Sequence, residues 1–214
     1  MFVCLPSILM ISGVQEYARF AAGVRGLRAV DVVPQPGFVD GEPLPATVDA
    51  VARVQARTVA RIVGDRPFVL VGRSSGCWVT QAVLERLEAE GVSPEAMALL
   101  DPPYPTDDAA LPTIEAGVVE RGESLGIMDG VRMTAMGAYL RLFRDWLPSP
   151  VRTPTVVLRP EVPTTDLQGR EVPPFTWEPE HEVLRVPGDH FSMLEGHVDA
   201  VSRALHDWLS ERGL

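Results

Sequence analysis

Cysteine is scarce in this chain, with two in 214 residues, Cys4 and Cys77. Neither belongs to a Cys-x-x-Cys pair, which argues against a disulfide framework and for a reduced, cytoplasmic setting. Basic charge is in deficit, 19 Lys and Arg against 29 Asp and Glu, for a net charge of −10 and a pI near 4.9. That balance speaks against nucleic acid or an anionic membrane as the main partner. No apolar run approaches the roughly 18 residues of a membrane span. Met1 to Met10 is apolar but has no basic leader and no small-residue cleavage site, and Pro6 interrupts it. It is read as a first core strand, and a chain that begins at once on a strand suggests a domain trimmed from something longer. There is no Gly-x-Gly-x-x-Gly or phosphate-loop pattern, and the histidines are not at ligand spacing, so neither a nucleotide cofactor nor a metal is expected.

What is present is enough apolar sequence, 46% of the chain, for one sizeable core, and residues 1–214 read as a single domain. Strands are expected at Phe2 to Leu5, Val30 to Val33, Phe68 to Val71, Met97 to Leu100, Thr155 to Leu158 and Glu182 to Val186. Helical patterns separate most of them: Gln15 to Val24, a long one capped by Thr47 and ended by Gly64, one from Cys77 to Leu87, and one after Val198. In the long helix Val48, Val51, Val54, Val59 and Ile62 are expected inward. Strands alternating with helices predict an α/β fold with a mostly parallel central sheet flanked by helices. From Pro102 to Pro150 the alternation stops. Two helical patterns, about Ala109 to Arg121 and Asp129 to Trp146, follow each other without a strand, as in a helical lid inserted above the sheet.

The most informative stretch is Gly72-Arg73-Ser74-Ser75-Gly76, set between an apolar strand and a helix. A strand, a Gly-x-Ser-x-Gly turn and a helix form the nucleophile elbow of an α/β-hydrolase, which exposes the serine at the tip of a tight turn. A serine hydroxyl needs a base to take its proton, and the base needs an acid to fix its tautomer. Among the histidines, His190 alone follows a strand end in a tight loop, Pro187-Gly188-Asp189-His190. His181 reads as a solvated surface group, His197 as a helix cap and His206 as exposed. Two acids compete: Glu161, past the Thr155 to Leu158 strand, and Asp101, past the strand before it. The pattern of residues does not choose between them. Asp189 braces the loop of its neighbour His190. The Ser75 N–H is the expected first oxyanion donor, and the second should come from the loop after the first strand, near Ser7 and Ile8. Met133, Met136 and Tyr139 on the second lid helix either pack on the body or line a channel for a long apolar acyl chain.

These motifs resemble the type I thioesterase domains that end modular polyketide synthases, including those of erythromycin-like and pikromycin-like pathways. The likeness covers essentially the whole chain: Pro34-Gln35-Pro36-Gly37-Phe38, Gly41-Glu42-Pro43-Leu44-Pro45, Gly64-Asp65-Arg66-Pro67-Phe68-Val69 and the elbow. It continues in Leu99-Leu100-Asp101 with its Tyr104-Pro105 turn, Arg132-Met133-Thr134-Ala135-Met136-Gly137-Ala138-Tyr139, and Pro187-Gly188-Asp189-His190-Phe191-Ser192-Met193. The resemblance selects Asp101 over Glu161. It implies Ser74 as nucleophile, His190 as base and Asp101 as orienting acid. Arg73, Tyr104, Met133, Met136 and Tyr139 become candidate substrate contacts. The implied substrate is a polyketide delivered as a thioester on the phosphopantetheine of an acyl carrier protein, with no other cofactor, and passed to water or to the chain's own hydroxyl.

Two departures bear on that expectation. The residue before the nucleophile is usually histidine in this family, and here it is Arg73. Its side chain either turns away to pair with an acid or lends its charge to substrate recognition or to the histidine. The family also carries N-terminal helices that form its dimer interface, and this chain starts after them; a monomer is expected for the chain as given, a dimer with those helices. Beside polyketide release, two other functions are compatible with these residues. One is an editing thioesterase that clears short acyl groups, the other a catalytically decayed scaffold that only binds.

Overall fold

A computed structural model describes residues 1–103, 116, 118–119, 122, 129–165, 168–172 and 177–214. Six parallel strands form one sheet in the order β2-β1-β3-β4-β5-β6: β1 Phe2–Leu5, β2 Val30–Val32, β3 Val69–Arg73, β4 Ala96–Leu100, β5 Thr155–Pro160 and β6 Glu182–Val186. Among the described residues the helices include α1 Ala18–Gly23, entered through a 3₁₀ turn at Val14–Tyr17, then α2 Val48–Val63, α3 Gly76–Ala89, α4 Gly130–Phe143 and α5 Val198–Ser210. This is the expected mostly parallel sheet flanked by helices.

The apolar runs Phe2–Leu5, residues 68–71 and Ala96–Leu100, which form β1, most of β3 and β4, follow from burial on both faces. Val3, Leu5, Leu70, Met97, Leu99 and Val157 point into one core layer, where α2, α3 and α4 cover them. Phe2, Cys4, Val69, Val71, Ala98, Leu100, Val156 and Leu158 point into the other, beneath α1 and α5. Successive side chains of a strand face opposite ways, so each run feeds both layers.

Thr47 caps α2 by accepting the Ala50 N–H at 3.1 Å, as its position predicts. The inward face of α2 differs from expectation. Val54 is 49% exposed, while Ala52, Gln55, Ala56 and Val63 are buried with Val51 and Val59. At 3.6 residues per turn a stripe through 52, 56, 59 and 63 leaves 54 on the far side; the valine count misled because Ala52 and Ala56 carry the contact.

The winding direction reverses between β1 and β3, since β2 lies on one side of β1 and every later strand on the other. Ligand sites of open α/β sheets sit beyond the carboxyl ends of the strands at such a point. The loop after β1 and the elbow after β3 meet there. The second predicted lid helix is α4, capped by Asp129, whose side chain accepts the Arg132 N–H at 2.8 Å. Most of the first, Ala109 to Arg121, lies outside the described residues, as does Tyr104.

Candidate active site

Parallel registry brings the elbow and the end of β4 side by side. Arg73 pairs with Leu100 across β3 and β4, so Ser74 and Asp101 each stand one residue past a paired strand end. Their amides continue the ladder: Ser74 N–H donates to Leu100 O at 2.9 Å and Asp101 N–H to Leu158 O at 2.9 Å. Two glycines make the elbow possible. A Cβ on Gly72 would stand 2.3 Å from Thr80 Oγ1 and 2.9 Å from Cys77 Cα, and one on Gly76 would stand 2.5 Å from Pro6 O. Only hydrogen fits where the turn presses against α3 and the β1 loop.

Ser74 Oγ lies 3.0 Å from His190 Nε2, and His190 Nδ1 lies 2.7 Å from Asp101 Oδ2. A carboxylate accepts, so the neutral imidazole carries its proton on Nδ1 and turns the lone pair of Nε2 to the hydroxyl. Ser74 and His190 are buried, and the Asp101 side chain is 13% exposed. His190 sits in the loop after β6, which Asp189 braces by accepting the N–H groups of Phe191 and Ser192 at 2.9 and 2.8 Å. Glu161 is exposed, and its N–H donates to Val186 O at 2.9 Å.

Two buried arginines back these groups, and the sequence reading assigned neither partner. Arg73 turns away from the hydroxyl: one guanidinium nitrogen pairs with Glu16 at 2.6 Å and the other donates to His190 O at 3.0 Å. Glu16 in turn accepts the Ser7 N–H at 3.1 Å. Burial opposes the charge of Arg73, but the attraction of Glu16 outweighs it, and the guanidinium pKa moves up. Arg159, in β5, places Nη1 3.5 Å from Asp101 Oδ1 and 3.4 Å from Pro102 O. Burial lowers its pKa, against the pull of Asp101. The signal for Arg159 was a charged residue continuing the buried run Thr155 to Leu158; Glu16 gave none, because it sits in an ordinary amphipathic pattern.

The remaining expected site residues divide. Ser75 and Ile8 are both buried, and the Ile8 N–H donates to Ser75 Oγ at 3.3 Å. Tyr139 is fully buried in the core, stacks obliquely on Phe38 at 5.8 Å and donates its hydroxyl to Pro36 O at 3.0 Å. It therefore packs on the body instead of offering its ring to a channel. Met133 is 49% exposed, and half-buried Met136 packs with Leu9, Met10, Val118 and Val172. Of the other histidines, His181 is half-buried with Nδ1 against Pro179 O at 2.8 Å. His197 starts α5 but makes no side-chain cap bond, contrary to expectation. His206 is half-buried, not exposed, because α5 rolls it toward α1. Among the described residues no group of His, Cys, Asp or Glu could hold a metal ion, and no helix is long and apolar enough to cross a membrane.

A parallel sheet with a serine on a Gly-x-Ser-x-Gly turn, its histidine after the last strand and an acid at a neighbouring strand end is α/β-hydrolase architecture. The family model "Thioesterase domain" matches residues 2–209, and the chain belongs to that family. It is 40% identical over 219 residues to polyketide synthase GfsE of Streptomyces halstedii, covering 98% of this chain and 6% of that protein. It is 39% identical over 211 residues to erythronolide synthase EryA3 of Saccharopolyspora erythraea, covering 97% of this chain and 7% of that protein. The chain thus spans less than a tenth of the length of either relative. Among solved structures, the thioesterase RedJ of the prodiginine pathway in Streptomyces coelicolor superposes with a TM-score of 0.69 at 22% identity, covering 95% of this chain and 88% of that one. The NocB thioesterase domain, a covalent complex with a fluorophosphonate nocardicin G analog, does so at 0.72 and 20% identity, covering 97% and 93%.

Proposed function

We propose that this domain releases a polyketide acyl chain from the phosphopantetheine thiol of an acyl carrier protein through an acyl-serine intermediate. The observation that carries the reading is the hydrogen-bonded line from Ser74 Oγ through His190 to Asp101, at 3.0 and 2.7 Å. Ser74 Oγ attacks the thioester carbonyl as its proton passes to His190 Nε2, and the carbonyl π pair moves onto oxygen. Asp101 keeps the imidazole in the required tautomer and stabilises the imidazolium. The N–H groups of Ser75 and Ile8 hold the oxyanion. Collapse of the tetrahedral intermediate breaks the C–S bond, and the imidazolium proton leaves with the thiol. Water or a hydroxyl of the substrate then attacks the acyl-serine, giving a free acid or a macrolactone.

The polyketide synthases among the relatives support the substrate class and the carrier as partner. Residues 102–150 serve as the lid, with Met133 and Met136 on the acyl path. Arg73, held by Glu16, positions the histidine loop and does not contact substrate. The test is incubation with acyl N-acetylcysteamine thioesters, mass spectrometry of the Ser74 peptide, and chromatography of the product as acid or ring. Absence of both thiol release and an adduct on Ser74 across short and long acyl chains overturns the reading. Turnover confined to short acyl groups favours the editing role.

A further inference from the structure

The second oxyanion donor, Ile8 N–H, is already engaged by Ser75 Oγ at 3.3 Å. Ser75 occupies the N-cap position of α3, where a serine hydroxyl ordinarily accepts an N–H from the first turn. Here it makes no such bond, because Ser75 is helical at φ −60° and ψ −15° and its side chain cannot reach back over the turn. The hydroxyl faces the β1 loop instead, in a place where Ser75 is 2% and Ile8 0% exposed. A hydroxyl has one proton and two lone pairs. One lone pair receives the Ile8 N–H, and among the described residues the proton has no acceptor. A buried donor without a partner asks for an explanation, and it stands here beside the atom that develops negative charge.

We propose that the Ser75 hydroxyl is a third oxyanion donor; the inference rests on the acyl-serine reading of Ser74. In the resting site it keeps the Ile8 N–H hydrogen-bonded. When the thioester carbonyl arrives, the Ile8 N–H transfers to the carbonyl oxygen and the freed hydroxyl turns its own proton the same way. Only a side-chain torsion changes. As the Ser74 Oγ–C bond forms, the π pair passes to oxygen and the Ser74 proton to His190 Nε2; the Ser75 proton stays on its own oxygen and donates a hydrogen bond. The resulting oxyanion has three donors: Ser75 N–H and Ile8 N–H, fixed by the backbone, and Ser75 O–H, brought in by that one torsion.

The test measures kcat and KM with an acyl N-acetylcysteamine thioester, and the affinity of a matching trifluoromethyl ketone, for the wild type and for S75A, S75T and S74A. S75A is expected to lose about 10–100-fold in kcat, less than the 10²–10³ typical of an oxyanion-hole donor. Its KM should stay near the wild-type value, while the ketone, which carries an oxyanion when bound, weakens by the factor lost in kcat. A merely structural role would not match those two losses. S75T keeps the hydroxyl and should recover most of both. If S75A turns over as fast as the wild type or faster, the hydroxyl only obstructs Ile8 and the inference is overturned, with the role of Ser74 intact. If S74A is as active as the wild type, the acyl-serine reading fails and takes this one with it.

Discussion

Ser74 and Asp101 share a backbone conformation that no other non-glycine residue among those described adopts, with φ of 51° and 47°. Both stand one residue past a paired strand end, and both keep their N–H in the ladder to the next strand. A left-handed residue with a Cβ costs roughly 1–2 kcal/mol. Strain of this kind persists where a site needs a side chain thrown clear of the sheet. In Ser74 it lifts Oγ toward the histidine, and in Asp101 it carries the carboxylate to the same imidazole. Comparing Ser74→Gly with Ser74→Ala isolates the backbone part, because both lose the hydroxyl and both should be inactive. The glycine variant is expected to be more stable by about 1 kcal/mol in urea unfolding, the usual size of a relieved positive-φ strain. Equal stability of the two would remove the strain argument.

The two acids that the residue pattern left open are separated by the geometry. Asp101 Oδ2 accepts from His190 Nδ1 at 2.7 Å, and Glu161 is exposed on the far side of β5 from it in sequence. Asp101→Asn should therefore lower kcat by about 10²–10⁴-fold, the range expected of acid–base assistance, with KM little changed. Glu161→Gln should stay within about twofold of wild type, since surface substitutions rarely act at a distance. A large loss in the second variant would return the question to where the motifs left it.

Much of this site was legible because it depends on local rules. The strand–Gly-x-Ser-x-Gly–helix order predicts the elbow, and strand ends predict where Asp101 and His190 lie. Boundaries came out sharp where the sequence punctuates them, as with Thr47 and Gly64 around α2 or Pro6 after β1. What was missed depends on side-chain direction. Val54 counts as apolar but lies off the stripe, and of the two orientations the pattern left open for Tyr139 in α4, only the structure shows the inward one, with its hydroxyl on Pro36 O. The partner of Arg73 is 57 residues away, and no periodicity pairs it with Glu16.

The thiol beneath the site has a definite expected behaviour. Cys77 follows the elbow in α3 and is completely buried, as is Cys4 in β1. Burial first, and then the nearby Asp101 charge, push the Cys77 pKa well above its ordinary 9.0; burial first, and then the Glu16 charge, do the same for Cys4. The thiolate is the reactive form, so iodoacetamide at neutral pH should label neither cysteine in the folded domain and leave activity unaltered. The same direction of shift bears on stability. Below pH about 9 both states keep these thiols protonated, and above it the unfolded chain ionises while the native one resists. Stability should thus fall as pH rises past about 9, and a variant with Cys4→Ala and Cys77→Ala should lose part of that slope in urea titrations. Rapid native alkylation, or an unchanged slope in the variant, would contradict the account.

The Arg73–Glu16 pair is the other place where sequence difference and geometry meet. Its side chains are 10% and 7% exposed, and it links the Ser7 N–H of the β1 loop to the carbonyl of His190. Breaking a buried pair on one side strands a charge and typically costs about 3–5 kcal/mol, whereas removing both can be nearly neutral. Glu16→Gln and Arg73→Met should each destabilise the domain by about 3 kcal/mol, and the double variant should recover at least half of the summed loss, a coupling a double-mutant cycle reads directly. Activity should not recover with it. The planar guanidinium meets Glu16 and His190 O at once, and neither methionine nor a single ammonium can span both. Arg73→Lys and the double variant are therefore expected to stay about tenfold low in kcat with KM near wild type, the signature of a misplaced base loop as opposed to a lost substrate contact. Should Arg73→His restore wild-type kcat and pH profile, the loop does not depend on this pair.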